Sequence, residues 1–274
     1  MTTFLDAHCH LQDPRVDLVR ESWLAQAKES ALSQFVLGGV GPEDWDRQIA
    51  LDVSHPNTFY LTAGLHPWWV SAHSDAELSI GLSALREKFN AEKSTGARWL
   101  GLGETGLDYQ DRFSEIDRDR QRTAFVEQLR VAAEFQKPLV LHVVRAHAET
   151  LSILDSCEAT GGMVHSFSGD LATAKAYLKK GFLLSISAAV LTRGSGKAFR
   201  SLEEVVVGVG LSELLIETDS PDQPPADQKG QLNSVQSLFR VAEVIGKFRG
   251  CSSEEVLTAS AENWKRKFIP HLFT

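Results

Sequence analysis

Five histidines and two acids stand along this 274-residue chain where they could build a metal centre: His8, His10, His66, His142 and His165, with Glu104 and Asp219. Each lies at the carboxyl end of a short apolar run. A lone histidine in such a place is more often a hydrogen-bonded core or rim residue than a ligand. Here the types recur together. His8 and His10 form an H-x-H within "FLDAHCHL", where period-two spacing turns both to one side and Cys9 to the other. Neutral imidazoles and buried carboxylates need a cation to offset their desolvation, and this set holds donors enough for two ions. A carboxylate has two oxygens, so Glu104 or Asp219 could bridge ions about 3.5–4 Å apart, as in two-metal hydrolases. The mixture of nitrogen and oxygen donors suits Mg, Mn, Zn or Co without choosing among them.

Alternating strands and helices would bring these residues together. Eight apolar runs read as strands: "FLDAHC", "SQFVLGGV", "TFYLTAGLH", "RWLGLGE", "PLVLHVV", "GGMVHSF", "FLLSIS" and "ELLIETD". None alternates cleanly between apolar and polar, as expected of strands covered on both faces. Helix-length segments separate them, punctuated by Asp13 before Pro14 and by a Ser252–Glu255 capping box. The pattern points to a (β/α)8 TIM barrel, α/β in class, read as one domain over residues 1–274. In that fold the carboxyl ends of the strands share one rim, so residues scattered along the sequence become neighbours. The polar runs "LDYQDRFSEIDRDRQR" and "SPDQPPADQKGQLN" read as connections on the same face. Gly38-Gly39 and Gly161-Gly162 read as turns and close packing, since neither pair sits in a phosphate-loop context.

Composition narrows the function classes. Against 36 Asp plus Glu there are 28 Lys plus Arg, a formal charge of −8. Broad electrostatic binding of nucleic acid is thereby disfavoured, and any recognition of phosphate must be local. The three cysteines are few and widely spaced, which is no disulfide framework. The amino terminus lacks a basic segment followed by an apolar one, and no run approaches the length of a membrane span. The expectation is a cytoplasmic protein with no membrane association and no obligate protein partner.

Several stretches together resemble the TatD family of metal-dependent hydrolases, within the amidohydrolase-type barrels. They are "FLDAHCHL", "SHPNTFYLTAGLHP", "GLGETGLDY", "QRTAFVEQLRVAAEFQKPLVLHVVRAH", "VHSFSG", "LLIETDSP" and "AENWKRKF", in order along essentially the whole chain. The resemblance implies that His8 and His10 hold one ion with Asp219, that Glu104 bridges to a second, and that His142 and His165 complete that second site. His66 matches a position near the substrate phosphate and is a catalytic candidate. Three positions depart from the usual pattern: Thr105, Val144, and Ser234, where a proline commonly follows the asparagine. All lie in or beside catalytic-face loops, where substrate preference is set.

The activity so implied is hydrolysis of phosphodiester bonds in DNA, or in RNA, of a 3′-to-5′ exonuclease type with a metal-activated water. Asp219 would orient that water and accept its proton, its simpler reading being a helix or loop cap. Arg145 and Arg112 could grip phosphate, and Trp68 or Trp69 could stack a base. Asp6 is expected to orient a ligand histidine and Asp108 to shape its own loop. Two alternatives stand beside this reading. One is an amide, ester or lactone hydrolase, such as an aminoacyl-tRNA deacylase, since the same centre can attack a carbonyl; Glu104 argues against it, because many amide-cleaving barrels carry a modified lysine there. The other is a non-catalytic metal or nucleic-acid binding barrel, disfavoured because a structural zinc site needs only four closed ligands.

Overall fold

The computed structural model describes residues 3–95, 99–192 and 196–270. Its strands are β1 (Phe4–Cys9), β2 (Leu32–Leu37), β3 (Phe59–Ala63), β4 (Trp99–Asp108), β5 (Leu139–Val144), β6 (Gly162–Val164), β7 (Phe182–Ile186) and β8 (Leu214–Ile216). They pair in chain order and every pair is parallel. The helices between them are α1 (Arg20–Glu29), α2 (Pro42–Ser54), α3 (Pro67–Ala72), α4 (Asp75–Thr95), α5 (Glu115–Phe135), α6 (His147–Ser156), α7 (Leu171–Lys179) and α8 (Lys197–Gly208). Two more, α9 (Ser237–Arg249) and α10 (Ser253–Phe268), follow β8. Among the described residues no helix is long and apolar enough to cross a membrane.

Backbone hydrogen bonds just beyond β8 close the ring onto β1. The Asp219 N–H donates to the His8 carbonyl at 3.0 Å, and the His10 N–H donates to the Ser220 carbonyl at 2.6 Å. Below them, Asp6 accepts from the backbone and hydroxyl of Thr218 at 3.0 and 2.5 Å. The (β/α)8 barrel legible in the strand pattern is therefore the observed fold.

Each strand gives an apolar side chain to one inner cluster: Leu5 and Ala7, Val36, Tyr60, Leu100, Val140, Met163, Leu183 and Leu215. Helix α10 joins this cluster through Trp264, which stacks on Tyr60 at 4.7 Å and on Phe268 at 4.9 Å. This packed apolar layer supports the polar rim above it. A second apolar layer, including Cys9, Phe35, Trp45 and Trp99, lies between strands and helices. Both faces of the sheet are thus covered, which is why none of the runs alternates.

Local signals account for several boundaries. Asp13 accepts from the Arg15 N–H and caps a 3-10 turn at Pro14–Val16, and Ser252 with Glu255 forms a reciprocal box opening α10. The polar run after β4 is a different matter. Read as a connection, its second half is helix, because Ser114 and Asp117 form a capping box and α5 begins at Glu115. Its charges pair at helical spacing, Arg118 with Glu115 and Arg122 with Asp119, so the run is the solvated face of a helix.

Candidate metal centre

The register of β1 shifts between Asp6 and Cys9, and that of β4 shifts between Leu102 and Thr105. Such bulges bend a strand and re-aim its side chains. The first lets Ala7 belong to the inner cluster and Cys9 to the outer layer while His8 and His10 both reach the rim. The second sets Glu104 within β4, not at its end, with the strand continuing to Asp108. His66 likewise lies beyond β3, as the residue capping α3.

All seven residues converge. Glu104 is 2% exposed, and its two oxygens divide the cluster. Oε1 faces His8 Nε2 at 3.5 Å and His10 Nε2 at 3.2 Å. Oε2 faces His142 Nδ1 at 3.3 Å, His165 Nε2 at 3.4 Å and His66 Nε2 at 3.7 Å. Asp219 Oδ1 stands 3.5 Å from His10 and 3.8 Å from His8. Three groups have potential donor atoms all within 4.8 Å of one another: His8, His10 and Glu104; His8, His165 and Asp219; His66, Glu104 and His142. Donors about 2.0–2.2 Å from a tetrahedral ion stand roughly 3.3–3.6 Å apart, so the spacing fits bound divalent metal.

Electrostatics point the same way. Burial opposes ionisation of Glu104, yet His8, His165, His66 and His10 around it hold its carboxyl well below the ordinary range. Burial likewise opposes protonation of His165, but Glu217, Asp219 and Glu104 raise it to about 10. His10 is raised well above its ordinary value, with Glu104 and Asp219 outweighing burial. A centre whose carboxylates draw cationic charge this strongly is suited to divalent ions, provided each imidazole turns a lone pair inward.

Hydrogen bonds fix those lone pairs. His10 Nδ1 donates to the Gly38 carbonyl at 3.1 Å, and His165 Nδ1 donates to Glu217 at 2.8 Å, so the Nε2 of each ring faces the centre. His66 differs. Its Nδ1 accepts the Trp68 N–H at 3.0 Å, which places the proton of the neutral ring on Nε2, the atom aimed at Glu104. Burial and neighbouring His142 hold the His66 pKa well below the ordinary value, so the ring is neutral and presents a donor.

A family model, TatD related DNase, matches residues 5–269. The chain belongs to the TatD related DNase family. The uncharacterized metal-dependent hydrolase YjjV of Escherichia coli (strain K12) is 28% identical over 261 residues, covering 95% of both chains. The crystal structure of this TatD homolog superposes with a TM-score of 0.84 over 97% of this chain and 98% of that one. The 3′-5′ ssDNA/RNA exonuclease TatD of Cronobacter sakazakii (strain ATCC BAA-894) is 29% identical over 270 residues, 96% of this chain and 97% of its own. This TatD chain is a metal-dependent hydrolase, as its sequence resemblance implied.

Around the centre of this TatD barrel, some expectations change. Among the described residues Asp6 touches no histidine ring; it ties β1 to Thr218 across the closing seam. Asp108 takes the role expected of Asp6, standing 3.5 Å from His142 Nε2. Glu217, absent from the sequence-derived set, holds His165 and also accepts from Ser166 N at 2.7 Å and from the Ser185 hydroxyl. Its signal was present: in "ETD" it lies two residues before Asp219, a third acid at a strand end. Gln223, also missed, donates to Asp219 Oδ2. Gly38 is needed for close packing, because a Cβ there would meet the His8 ring at 2.3 Å and the His10 ring at 2.9 Å.

A cavity of about 710 Å³ opens above the centre, lined by His10, His66, Glu104, His142, His165 and Asp219 among others. Arg145 is not on its wall; it is bound to Asp111 at 2.9 Å. Arg15 and Arg47 are the arginines that line it. Arg15 is held by Asp13 and Asp222, and Arg47 lies 3.4 Å from buried Asp44. They follow strands 1 and 2 in segments without a distinguishing motif, so the sequence offered no signal for them.

Proposed function

We propose that this TatD chain is a 3′-to-5′ exonuclease that hydrolyses phosphodiester bonds of single-stranded DNA, with RNA as a substrate of the same chemistry. The observation that carries the reading is the division of Glu104, one oxygen toward His8 and His10 and the other toward His142 and His165. A carboxylate so placed could serve two divalent ions, which when bound would supply charge stabilisation for phosphoryl displacement. Relatives named as ssDNA/RNA exonucleases along nearly the whole chain support the same substrate class.

In this reading His8, His10 and Asp219 would hold one ion, His142 and His165 would hold the other, and Glu104 would serve both. The ions would be two per chain, of Mg, Mn, Zn or Co. When bound they supply Lewis-acid charge stabilisation and acidify a water. The chain's own residues do the rest. Asp219 orients the attacking water and takes its proton, remaining ionised because His165, His10 and His8 outweigh its burial. His66 offers its Nε2–H to a phosphoryl oxygen, as a neutral donor does where charge develops. Gln12 and His10 share the Gly38 carbonyl, and Asp44 holds Gln12, so a buried network steadies the His10 ring.

Two outcomes test this directly. Purified protein with Mg or Mn should release mononucleotides from single-stranded DNA labelled at the 3′ end before label is freed from the 5′ end, and chelator should stop the release. A folded, metal-loaded protein that frees none would transfer the bet to a carbonyl substrate. Glu217→Gln, which keeps shape but loses the charge that orients His165, should lower metal affinity or activity by about 10–100-fold. Metal titration giving the wild-type affinity, with wild-type rates, would reduce Glu217 to a packing role.

A further inference from the structure

Trp68 and Trp69 are consecutive but differ in what they do. Trp69 also lines the cavity, but its ring is already stacked on His73 at 4.0 Å and packed against the outer apolar layer. Trp68 is 47% exposed and lines the cavity. A large aromatic left half in solvent forgoes burial that it could otherwise gain. Its exposure is not looseness. The indole N–H donates to Asp108 at 2.5 Å, and the backbone N–H donates to His66. The ring is therefore anchored by the two residues that also flank His142: Asp108 at its Nε2 and His66, whose Nε2 lies 3.2 Å from its Nδ1.

Arg112 places its guanidinium 4.1 Å from the centroid of the Trp68 ring. Arg112 covers one face of the indole and is not among the residues lining the cavity, whereas Trp68 is. The nearest carboxylate oxygen to Arg112 is that of Asp108 at 3.8 Å, which already accepts from Trp68 and Gln110. A cation over a fixed aromatic face rigidifies the platform and adds positive charge to an acidic chain at its cavity mouth. The ring centroid of Trp68 is 5.0 Å from that of His66. A flat group lying on the indole would thus sit beside a phosphate that accepts from His66, about one sugar away.

We propose that Trp68, backed by Arg112, is the stacking platform for the nucleobase of the nucleotide whose phosphodiester lies at Glu104. The inference rests on the phosphodiesterase reading of the centre and adds to it what is recognised beyond the phosphate. Recognition by stacking accepts every base, since each has a π-face. The platform fixes position along the strand and leaves sequence unread.

The test compares wild type, Trp68→Ala and Trp68→Phe on two single-stranded oligodeoxynucleotides, one complete and one with base-free sugars at its 3′ end. Trp68→Ala should raise KM on the complete strand about tenfold to a hundredfold, with kcat within about threefold of wild type. Trp68→Phe should recover most of the loss. Wild type should lose a similar factor on the base-free strand, and Trp68→Ala should not distinguish the two strands. Equal wild-type KM on both strands, or a Trp68→Ala loss of the same size on both, overturns the proposal. The wild-type comparison decides it even where Trp68→Ala does not fold. Binding of phosphorothioate versions of both strands separates this proposal from the reaction it rests on. If wild type cleaves neither strand yet binds the complete one more tightly, and Trp68→Ala narrows that gap, the platform stands and the exonuclease reading falls. Cleavage with no base dependence leaves the exonuclease reading standing and removes the platform.

Discussion

Glu104→Gln is expected to bind less metal and to lose hydrolysis by about 10³-fold or more, since several kcal/mol of charge stabilisation depart with the carboxylate and each 1.36 kcal/mol is tenfold in rate. The substitution keeps the shape of a side chain that is 2% exposed, so packing is preserved and the charge is what changes. Every imidazole of the cluster approaches one of its oxygens. An amide offers an NH₂ to imidazole nitrogens whose lone pairs face inward, and it repels the ions it replaces a bridge for. Metal content measured by elemental analysis, together with nucleotide release, checks both halves. Full metal and full rate in this variant would remove the bridged centre from the account.

Asp219→Asn should act differently, lowering kcat by about 10²–10⁴-fold while KM stays within a few-fold of wild type. The carboxylate is buried, which by itself favours the protonated form, but His165, His10 and His8 bring its pKa below the ordinary value. It is consequently ionised throughout the neutral range and ready to accept a proton. Its backbone is left-handed, at φ +56°, a conformation that Asp tolerates better than most residues and that often marks functional positions. Gln223 holds one oxygen, so the other is presented toward His10 with little freedom. Kinetics on a labelled strand separate the two constants. Equal losses of rate and substrate affinity would make Asp219 a scaffold of the centre and leave the base to be found elsewhere.

The barrel and the inner ring of the site were legible because both depend on patterns within a strand. Apolar runs without alternation mark doubly covered strands, and acids or imidazoles at their ends mark a shared rim. The H-x-H pair is the clearest example, with both Nε2 atoms found 3.3 Å apart. What lay hidden depends on neighbours across the sheet. Nothing near Asp108 in the chain says that its carboxylate meets His142, a residue of the next strand, and nothing near Asp6 says that Thr218 will occupy it. The bulges in β1 and β4 are equally invisible, since an extra residue in one strand exists only relative to its partner. Arginines followed the same logic. Arg145 looked placed for phosphate by its position after β5, but its left-handed backbone and its bond to Asp111 turn it aside.

The seam between the first and last strands has a consequence for synthesis. His8 and His10 are synthesised before Asp219 and the Ser220 carbonyl that receives the His10 N–H, which come from beyond the eighth strand. Chains emerge from the amino end over many seconds, so the two histidines of β1 wait for the carboxylate that completes their group. The full donor set is therefore assembled only when the segment beyond β8 docks against β1.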